Sequence, residues 1–549
     1  MTLVLEALGA SLPAFGMPVM FGLPGSGNYE LIHAARAAGV HYVGANHEAG
    51  AVGMADGWAR VAGRTGLVML SQGPGVTNGL TALTEAVKSR TALVAIAIDT
   101  PRTSRHGNLN IDQARVVDAL GGGVETVRSA GTAVDDLGRS VARAHTESRP
   151  IMLMVPLDLV HQPVDDAQSV VPLATTAAPW PRPDTVAAAA DLVVAAERPV
   201  VVAGRGAVRA GAGSALRVLA EQIGAVLAVS APAKGLFADD PFDLSIAGSF
   251  ASPLTGELLR EADLILAFGA SLNAWTTGNG VMLRLDIPTV QVDVEPANIG
   301  THRRVDVGIH ADAAATAEAL TTELERRDVT KVGFRTDEVR QRLATRDPSQ
   351  EFAPVDGGAG LDPRSFTLAL NGIVPTERTV TVDSGHFMGW PAKYLDAPDA
   401  AGWVYPQGFQ CVGLGLANAI GAAVARPDRI SVLAIGDGGL MLSPREIDTA
   451  VRHRLPLLVV IYDDGAYGAE VHRFAPIGLE VDLVQFGQRD FAAIARAAGA
   501  NALTITDLAD LAELKPWLED PTGPMVLDVR IDPSVVGDWV GRNSKAALA

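Results

Sequence analysis

The chain has 549 residues, too many for one hydrophobic core and suited to three domains. Hydrophobic residues make up 48% and charged residues only 19%, which excludes a disordered, highly solvated chain and favours buried parallel sheets. A net charge of −18 argues against nucleic acid or an anionic membrane surface as a partner, and the single cysteine, Cys411, excludes a disulfide framework.

The first 23 residues lack a basic stretch and carry Glu6, so they do not read as a signal peptide. No apolar run approaches the ~20 residues of a membrane span. The expected compartment is the cytoplasm. In chain order, short β-branched runs bounded by turn residues appear at 65–70, 91–98, 199–204, 262–270, 289–294, 379–383, 430–437 and 455–464. They alternate with helical patterns, which predicts an α/β chain of three domains, each a mostly parallel sheet flanked by helices. Two Pro/Thr/Ala/Gly-rich stretches, 171–184 and 345–360, read as linkers. The expected domains are therefore 1–165, 185–340 and 361–535, followed by a short polar tail.

Candidate chemistry concentrates in the third domain. The run ending at 435 leads into Gly436-Asp437-Gly438-Gly439, and the run 455–462 ends in Asp463-Asp464-Gly465. Each strand thus delivers a carboxylate to its C-terminal edge, where open α/β sheets bind ligands. Paired aspartates are hard oxygen donors suited to Mg²⁺, and the glycines admit close backbone approach to a diphosphate. Ser443, Pro444 and Glu446 predict a helix opening at Ser443 with a capping box. In the first domain three motifs follow one another: 21–28 (FGLPGSGN), 47–60 (HEAGAVGMADGWAR) and 71–79 (SQGPGVTNG).

Together and in this order, these motifs resemble thiamine diphosphate-dependent enzymes of the acetolactate synthase, benzoylformate decarboxylase and pyruvate decarboxylase type, over nearly the whole chain. The resemblance implies pyrimidine-binding, central Rossmann-like and diphosphate-binding domains. The family's metal motif pairs Gly-Asp-Gly with a later Asn-Asn. Here the spacing of 464 − 437 = 27 fits it, with Asp463-Asp464 in place of the asparagines. The carry-over makes Asp437, Asp464 and the carbonyl of Ala466 the Mg²⁺ ligands. Glu48 would bond N1′ of the cofactor's aminopyrimidine. Val412 takes the position of the apolar wedge that bends the cofactor, and Gln410 would offer its carbonyl to the 4′-amino group. Gly385, His386, Gly436, Gly438, Gly439, Tyr467 and Gly468 are the remaining cofactor contacts.

For the substrate, Ser26 matches a loop serine of benzoylformate decarboxylases, and Gln113 matches an acetolactate synthase glutamine. Both are candidate catalytic residues. The adjacent histidine pair of pyruvate decarboxylases has no counterpart at 105–106. Ser71 stands where benzoylformate decarboxylases carry a catalytic histidine. Glu470 and His472 follow the metal loop and could face substrate. The middle domain's Gly204-Arg205-Gly206-Ala207 is a lone glycine-rich turn; it leaves FAD open without favouring it. The expected activity is decarboxylation of a 2-oxo acid, with release of an aldehyde or transfer to a carbonyl acceptor. The alternatives are an FAD-containing acetolactate synthase or pyruvate oxidase type enzyme, and an inactive regulatory homologue. The family's shared sites imply a homodimer or a dimer of dimers.

Overall fold

The computed structural model describes residues 2–104, 106–164, 177–355 and 357–540. Buried strand segments alternate with helices along these residues, and such a chain closes into parallel sheets covered on both faces. Three six-stranded sheets result, and their ladders are parallel throughout.

The first sheet comprises β1 (Val19–Gly22), β2 (His41–Gly44), β3 (Gly66–Leu70), β4 (Leu93–Asp99), β5 (Gly123–Thr126) and β6 (Pro150–Pro156). The second comprises β7 (Pro199–Ala203), β8 (Val226–Val229), β9 (Asp243–Ile246), β10 (Leu264–Phe268), β11 (Thr289–Asp293) and β12 (Val307–His310). The third comprises β13 (Arg378–Val382), β14 (Trp403–Val404), β15 (Ile430–Gly436), β16 (Leu457–Asp463), β17 (Asn501–Ile505) and β18 (Met525–Arg530). The first sheet is ordered β2-β1-β3-β4-β6-β5 and the third β14-β13-β15-β16-β18-β17, the same topology. In both, the winding reverses between the second and third strands of that order. This leaves a crevice at the strand ends, β1/β3 in one and β13/β15 in the other, where doubly wound sheets take ligands.

Residues 171–176 of the first expected linker lie outside the described residues, as does Arg105. The second linker is packed against the third domain. Phe352 lies 5.8 Å from the Tyr394 ring and under the Arg364 guanidinium, and Arg346 pairs with Glu351 at 2.6 Å. The chain beyond 535 is also not a solvated tail as far as 540. Trp539 is 3% exposed and packs edge-on against Trp390 of the third domain and Phe250 of the middle one, burying its large apolar area.

The first and third domains meet through two helices. The helix Glu48–Ala62 runs against Gly415–Ala425 so closely that a Cβ on Gly57 would strike the backbone of Asn418, and one on Gly421 that of Met54. The close approach brings polar groups into register: the Asn418 amide donates to Gly53 O at 2.9 Å and to Asp56 Oδ2 at 3.0 Å. Asp56 in turn pairs with Arg60, which reaches Glu85 at 3.0 Å.

The glycine-rich turn of the middle domain serves as a joint. Cβ atoms on Gly204 or Gly206 would collide with Gly269, and Arg205 projects into the first domain, where it donates to Ser89 O and to Thr91 Oγ1.

Candidate active site

The three motifs of the first domain converge at the β1/β3 crevice. The loop after β1 is tied by Asn28, fully buried, whose Oδ1 accepts from Gly25 N at 2.7 Å and whose amide donates to Leu23 O at 3.1 Å. A Cβ on Gly25 would lie 3.3 Å from Ser71, so the loop after β1 touches the loop after β3. Ser26 is exposed at the tip.

Glu48 opens its helix, with His47 as N-cap accepting from Ala49 N at 3.1 Å. The glutamate is 6% exposed. Its Oε2 accepts from the Asn78 amide at 3.0 Å, while Oε1 lies 3.4 Å from where a Gly75 side chain would begin. Gly75 and Asn78 of 71–79 thus make the room and the anchor for this carboxylate.

Gln113 packs behind the loop after β3. It is buried, its Oε1 accepts from Gly73 N at 2.9 Å, and its amide nitrogen donates to Ile98 O and Asp99 Oδ1 at 3.2 and 3.1 Å. With its amide committed inside the domain, it braces the Gly73 loop.

The β13/β15 crevice holds the second cluster. Asp437 begins a short helix, Asp437–Leu442, directly at the end of β15. The helix expected from Ser443 instead starts at Glu446, and the capping box is not formed. Ser443 Oγ is buried without a partner, and Glu446 turns its carboxylate to Asn46 and Thr449. Asp463 ends β16, the strand hydrogen-bonded to β15, and Asp464 follows it, so Asp437 and Asp464 share one edge.

Asp437 is 2% exposed and its Oδ2 has no partner. Burial, with Asp464 and Asp463 close by, pushes it well above the usual carboxylate range. Burial likewise pushes Asp464 up to about 7. Two carboxylates that disfavour each other's charge, one with an orphaned oxygen, are the donor set a divalent cation would relieve. Among the described residues no group of three or more His, Cys, Asp or Glu is arranged to hold a metal. A cation held here would have to draw on these two carboxylates, backbone carbonyls and ligands from outside the protein, such as phosphate oxygens and water.

A cavity of about 360 Å³ adjoins them, lined by Asp464, Ala466, Gly468, His472 and Gln485 among others. The glycines of the two metal-motif loops are forced by close approach. A Cβ on Gly438 would lie 2.5 Å from the Tyr467 ring, one on Gly439 2.5 Å from Asp383 Oδ2, and one on Gly468 would strike Asp464. Gly385, with φ of 154°, has no room for a side chain beside Phe387.

His386 is 6% exposed. Burial, then the neighbouring His472 ring 4.3 Å away, lowers its pKa to about 3, so it is neutral. Its Nε2 lies 3.1 Å from the Gly537 N–H and accepts from it, which places the remaining proton on Nδ1. That Nδ1 is buried, unpartnered and faces Gly468. A preset donor beside a glycine cradle fits a diphosphate. Gly537 and Trp539, whose indole donates to His386 O at 3.1 Å, lie beyond residue 535, the expected end of the third domain.

The loop 408–415 ties the β13/β15 crevice to the end of the first domain's helix Pro74–Lys88. Asp383, fully buried, accepts from Gly413 N at 2.9 Å and Gly415 N at 3.0 Å. Glu85 of the first domain accepts from Phe409 N at 2.6 Å. Val412 is half-buried, 3.5 Å from the Cβ position of Gly439. Gln410 is exposed with φ of 56°, and its carbonyl accepts a long 3.5 Å bond from Ser384 Oγ.

Known proteins match the chain domain by domain. Residues 3–119 match the N-terminal TPP binding domain of thiamine pyrophosphate enzymes, 186–320 their central domain and 383–529 their C-terminal TPP binding domain. A probable 2-ketoarginine decarboxylase of Pseudomonas aeruginosa is 30% identical over 518 residues, covering 92% of this chain and 90% of the relative. An acetolactate synthase large subunit of Parasynechococcus marenigrum is 29% identical over 549 residues, 96% of this chain and 87% of the relative. A sulfoacetaldehyde acetyltransferase of Alcaligenes xylosoxydans xylosoxydans is 28% identical over 549 residues, covering 92% and 88%. The chain belongs to the thiamine pyrophosphate enzyme family. It is a thiamine diphosphate-dependent enzyme of the decarboxylase and carboligase type. Among the described residues, no helix is long and apolar enough to cross a membrane.

Proposed function

We propose that this enzyme uses thiamine diphosphate with Mg²⁺ to decarboxylate a 2-oxo acid, then releases an aldehyde or passes the acyl unit to a carbonyl acceptor. The observation that carries the reading is the pairing of Asp437, whose Oδ2 is buried and unpartnered, with Asp464 at the edge of a glycine-lined cavity. Relatives named as a decarboxylase, an acetolactate synthase and an acetyltransferase support both outcomes of the reaction.

When bound, thiamine diphosphate supplies the electron sink that allows a bond beside a carbonyl to break or form. The chain supplies the rest. Asp437, Asp464 and the Ala466 carbonyl would hold the cation. The Gly438, Gly439 and Gly468 backbone and the proton on His386 Nδ1 would receive the diphosphate, with Gly385, Gly436 and Tyr467 shaping its bed. Val412 would prop the cofactor's two rings and Gln410 O would accept from the 4′-amino group. Glu48 is held at Oε2 by Asn78, which would leave Oε1 to meet the pyrimidine N1′ when the cofactor is bound. Ser26, exposed at its loop tip, and His472, on the cavity wall, are the candidates to face a 2-oxo acid.

The two crevices would be completed across a homodimer or a dimer of dimers. Half-exposed apolar side chains beside the second crevice, Phe409, Met441, Leu442 and Tyr467, support a covered surface there. The occupation of the Gly204–Gly206 turn by Gly269 and by the Arg205 joint supports leaving FAD out of the assignment. The lone Cys411 suits a cytoplasmic enzyme. The domain limits follow the earlier division, 1–165, 185–340 and 361–535. A panel of 2-oxo acids, with and without acceptor aldehydes, in thiamine diphosphate and Mg²⁺ tests the activity. Carbon dioxide release dependent on both is the expected result, and inertness toward the whole panel would overturn it.

A further inference from the structure

The acidic pair at the end of β16 crowds charge into a site meant for a diphosphate, and the structure distributes that charge unevenly. Asp463 is fully buried: its Oδ1 accepts from its own loop at Gly465 N, 3.0 Å, and its Oδ2 accepts from Arg530 Nη1. Asp463 and Arg530 are register partners on the adjacent parallel strands β16 and β18, so the sheet itself fixes the pair. The other end of the guanidinium donates to Asp528 Oδ2 at 2.7 Å and to Arg489 O at 2.5 Å. Asp464 makes no such pairing: its Oδ1 accepts from Ala466 N at 3.2 Å, and its Oδ2 crowds Gly468 at the cavity wall.

We propose that Arg530 is the internal counterion that compensates Asp463, so that an acidic pair can occupy the metal loop beside Asp437. Arg530 is a positioning residue, acting through Asp463. The inference rests on the thiamine diphosphate and Mg²⁺ reading above. Without the guanidinium, Asp463 would be a buried, uncompensated anion next to a ligand position. It would either repel the diphosphate or swing toward the cation and distort the loop. A neutral residue at 463 needs no counterion, so the requirement for Arg530 depends on the charge at 463.

Calorimetric titration of thiamine diphosphate in saturating MgCl₂ tests this with Arg530→Gln, Arg530→Lys, Asp463→Asn and the double variant Asp463→Asn/Arg530→Gln, each checked for fold by circular dichroism. Arg530→Gln should weaken binding about tenfold or more, as expected when one partner of a buried pair is removed. Arg530→Lys should recover part of the loss. The double variant should bind within about threefold of Asp463→Asn, because no charge at 463 is left to compensate. Arg530→Gln binding like wild type would overturn the proposal, and so would a double variant as weak as Arg530→Gln. If Arg530→Gln does not fold, the double variant against Asp463→Asn decides by the same criterion. A wild-type protein that shows no Mg²⁺-dependent binding would instead overturn the underlying cofactor reading.

Discussion

Glu446 and Asn46 stand 400 residues apart in the chain, yet the Asn46 backbone N–H donates to Glu446 Oε2 at 3.2 Å. The same carboxylate oxygen takes the Thr449 hydroxyl at 2.8 Å, and the Asn46 amide donates to Asp448 Oδ2 at 2.8 Å and Arg445 O at 2.9 Å. Asn46 lies two residues before Glu48. The third domain therefore grips the loop that sets where the proposed catalytic glutamate begins its helix. Gly50 belongs to the same contact, since a side chain there would run into Glu446.

Glu446→Ala should leave the Asn46 N–H unpaired and lower stability by about 1–3 kcal/mol, read as a drop in melting temperature. Because the loop carrying Glu48 would lose its hold, kcat should fall while KM for the 2-oxo acid changes little. An unchanged kcat in a folded variant would separate the grip from catalysis.

The contact between helices Glu48–Ala62 and Gly415–Ala425 predicts intolerance of any side chain at Gly57 or Gly421. Alanine at either position meets backbone, which cannot give way as a flexible side chain can. Each substitution should cost about 1–3 kcal/mol or more, measured as a loss of melting temperature. A wild-type melting temperature would mean that the helices separate more easily than their packing shows.

Asp437→Ala should remove thiamine diphosphate binding from the calorimetric range, because Asp464 would then face the diphosphate with too few ligands to hold a cation. Asp464→Asn keeps an oxygen donor and removes one negative charge. It should bind the cofactor with Mg²⁺ at least as tightly as wild type. Loss of binding in Asp464→Asn would show that the carboxylate itself is required.

Legibility in the sequence followed periodicity and local spacing. The long, β-branched runs that became β3, β4, β7, β10, β11, β13, β15 and β16 could be read directly. Strands such as His41–Gly44 and Trp403–Val404 could not, because two to four residues carry no period. The glycines of 47–60 matched a motif, but their physical reason, contact with Asn418 and Ala417, lies more than 350 residues downstream. Ser443 and Glu446 satisfy the local spacing of a capping box, yet a tertiary partner at Asn46 claims Glu446. Gln113 had the right residue type near the right loop, and only the fold shows its amide turned inward. Arg530 and Gly537 act through β-sheet register and a backbone N–H, neither of which has a sequence signature.

If the Glu48 crevice of one subunit meets the Asp437 crevice of its partner, inactive variants should complement each other. Glu48→Gln and Asp437→Ala subunits, mixed under exchange, would form dimers with one doubly altered site and one intact site. Activity should return in part. Demonstrated exchange by mass without any return would place both groups in the site of one chain.

Deuterium incorporation at C2 of bound thiamine diphosphate measures the proposed role of Glu48 most directly. Quenched-flow exchange followed by proton NMR should show wild-type protein accelerating this exchange. Glu48→Gln, still folded and still binding the cofactor by calorimetry, should slow it by about 10²–10⁴-fold. Exchange at the wild-type rate in Glu48→Gln would contradict the assignment.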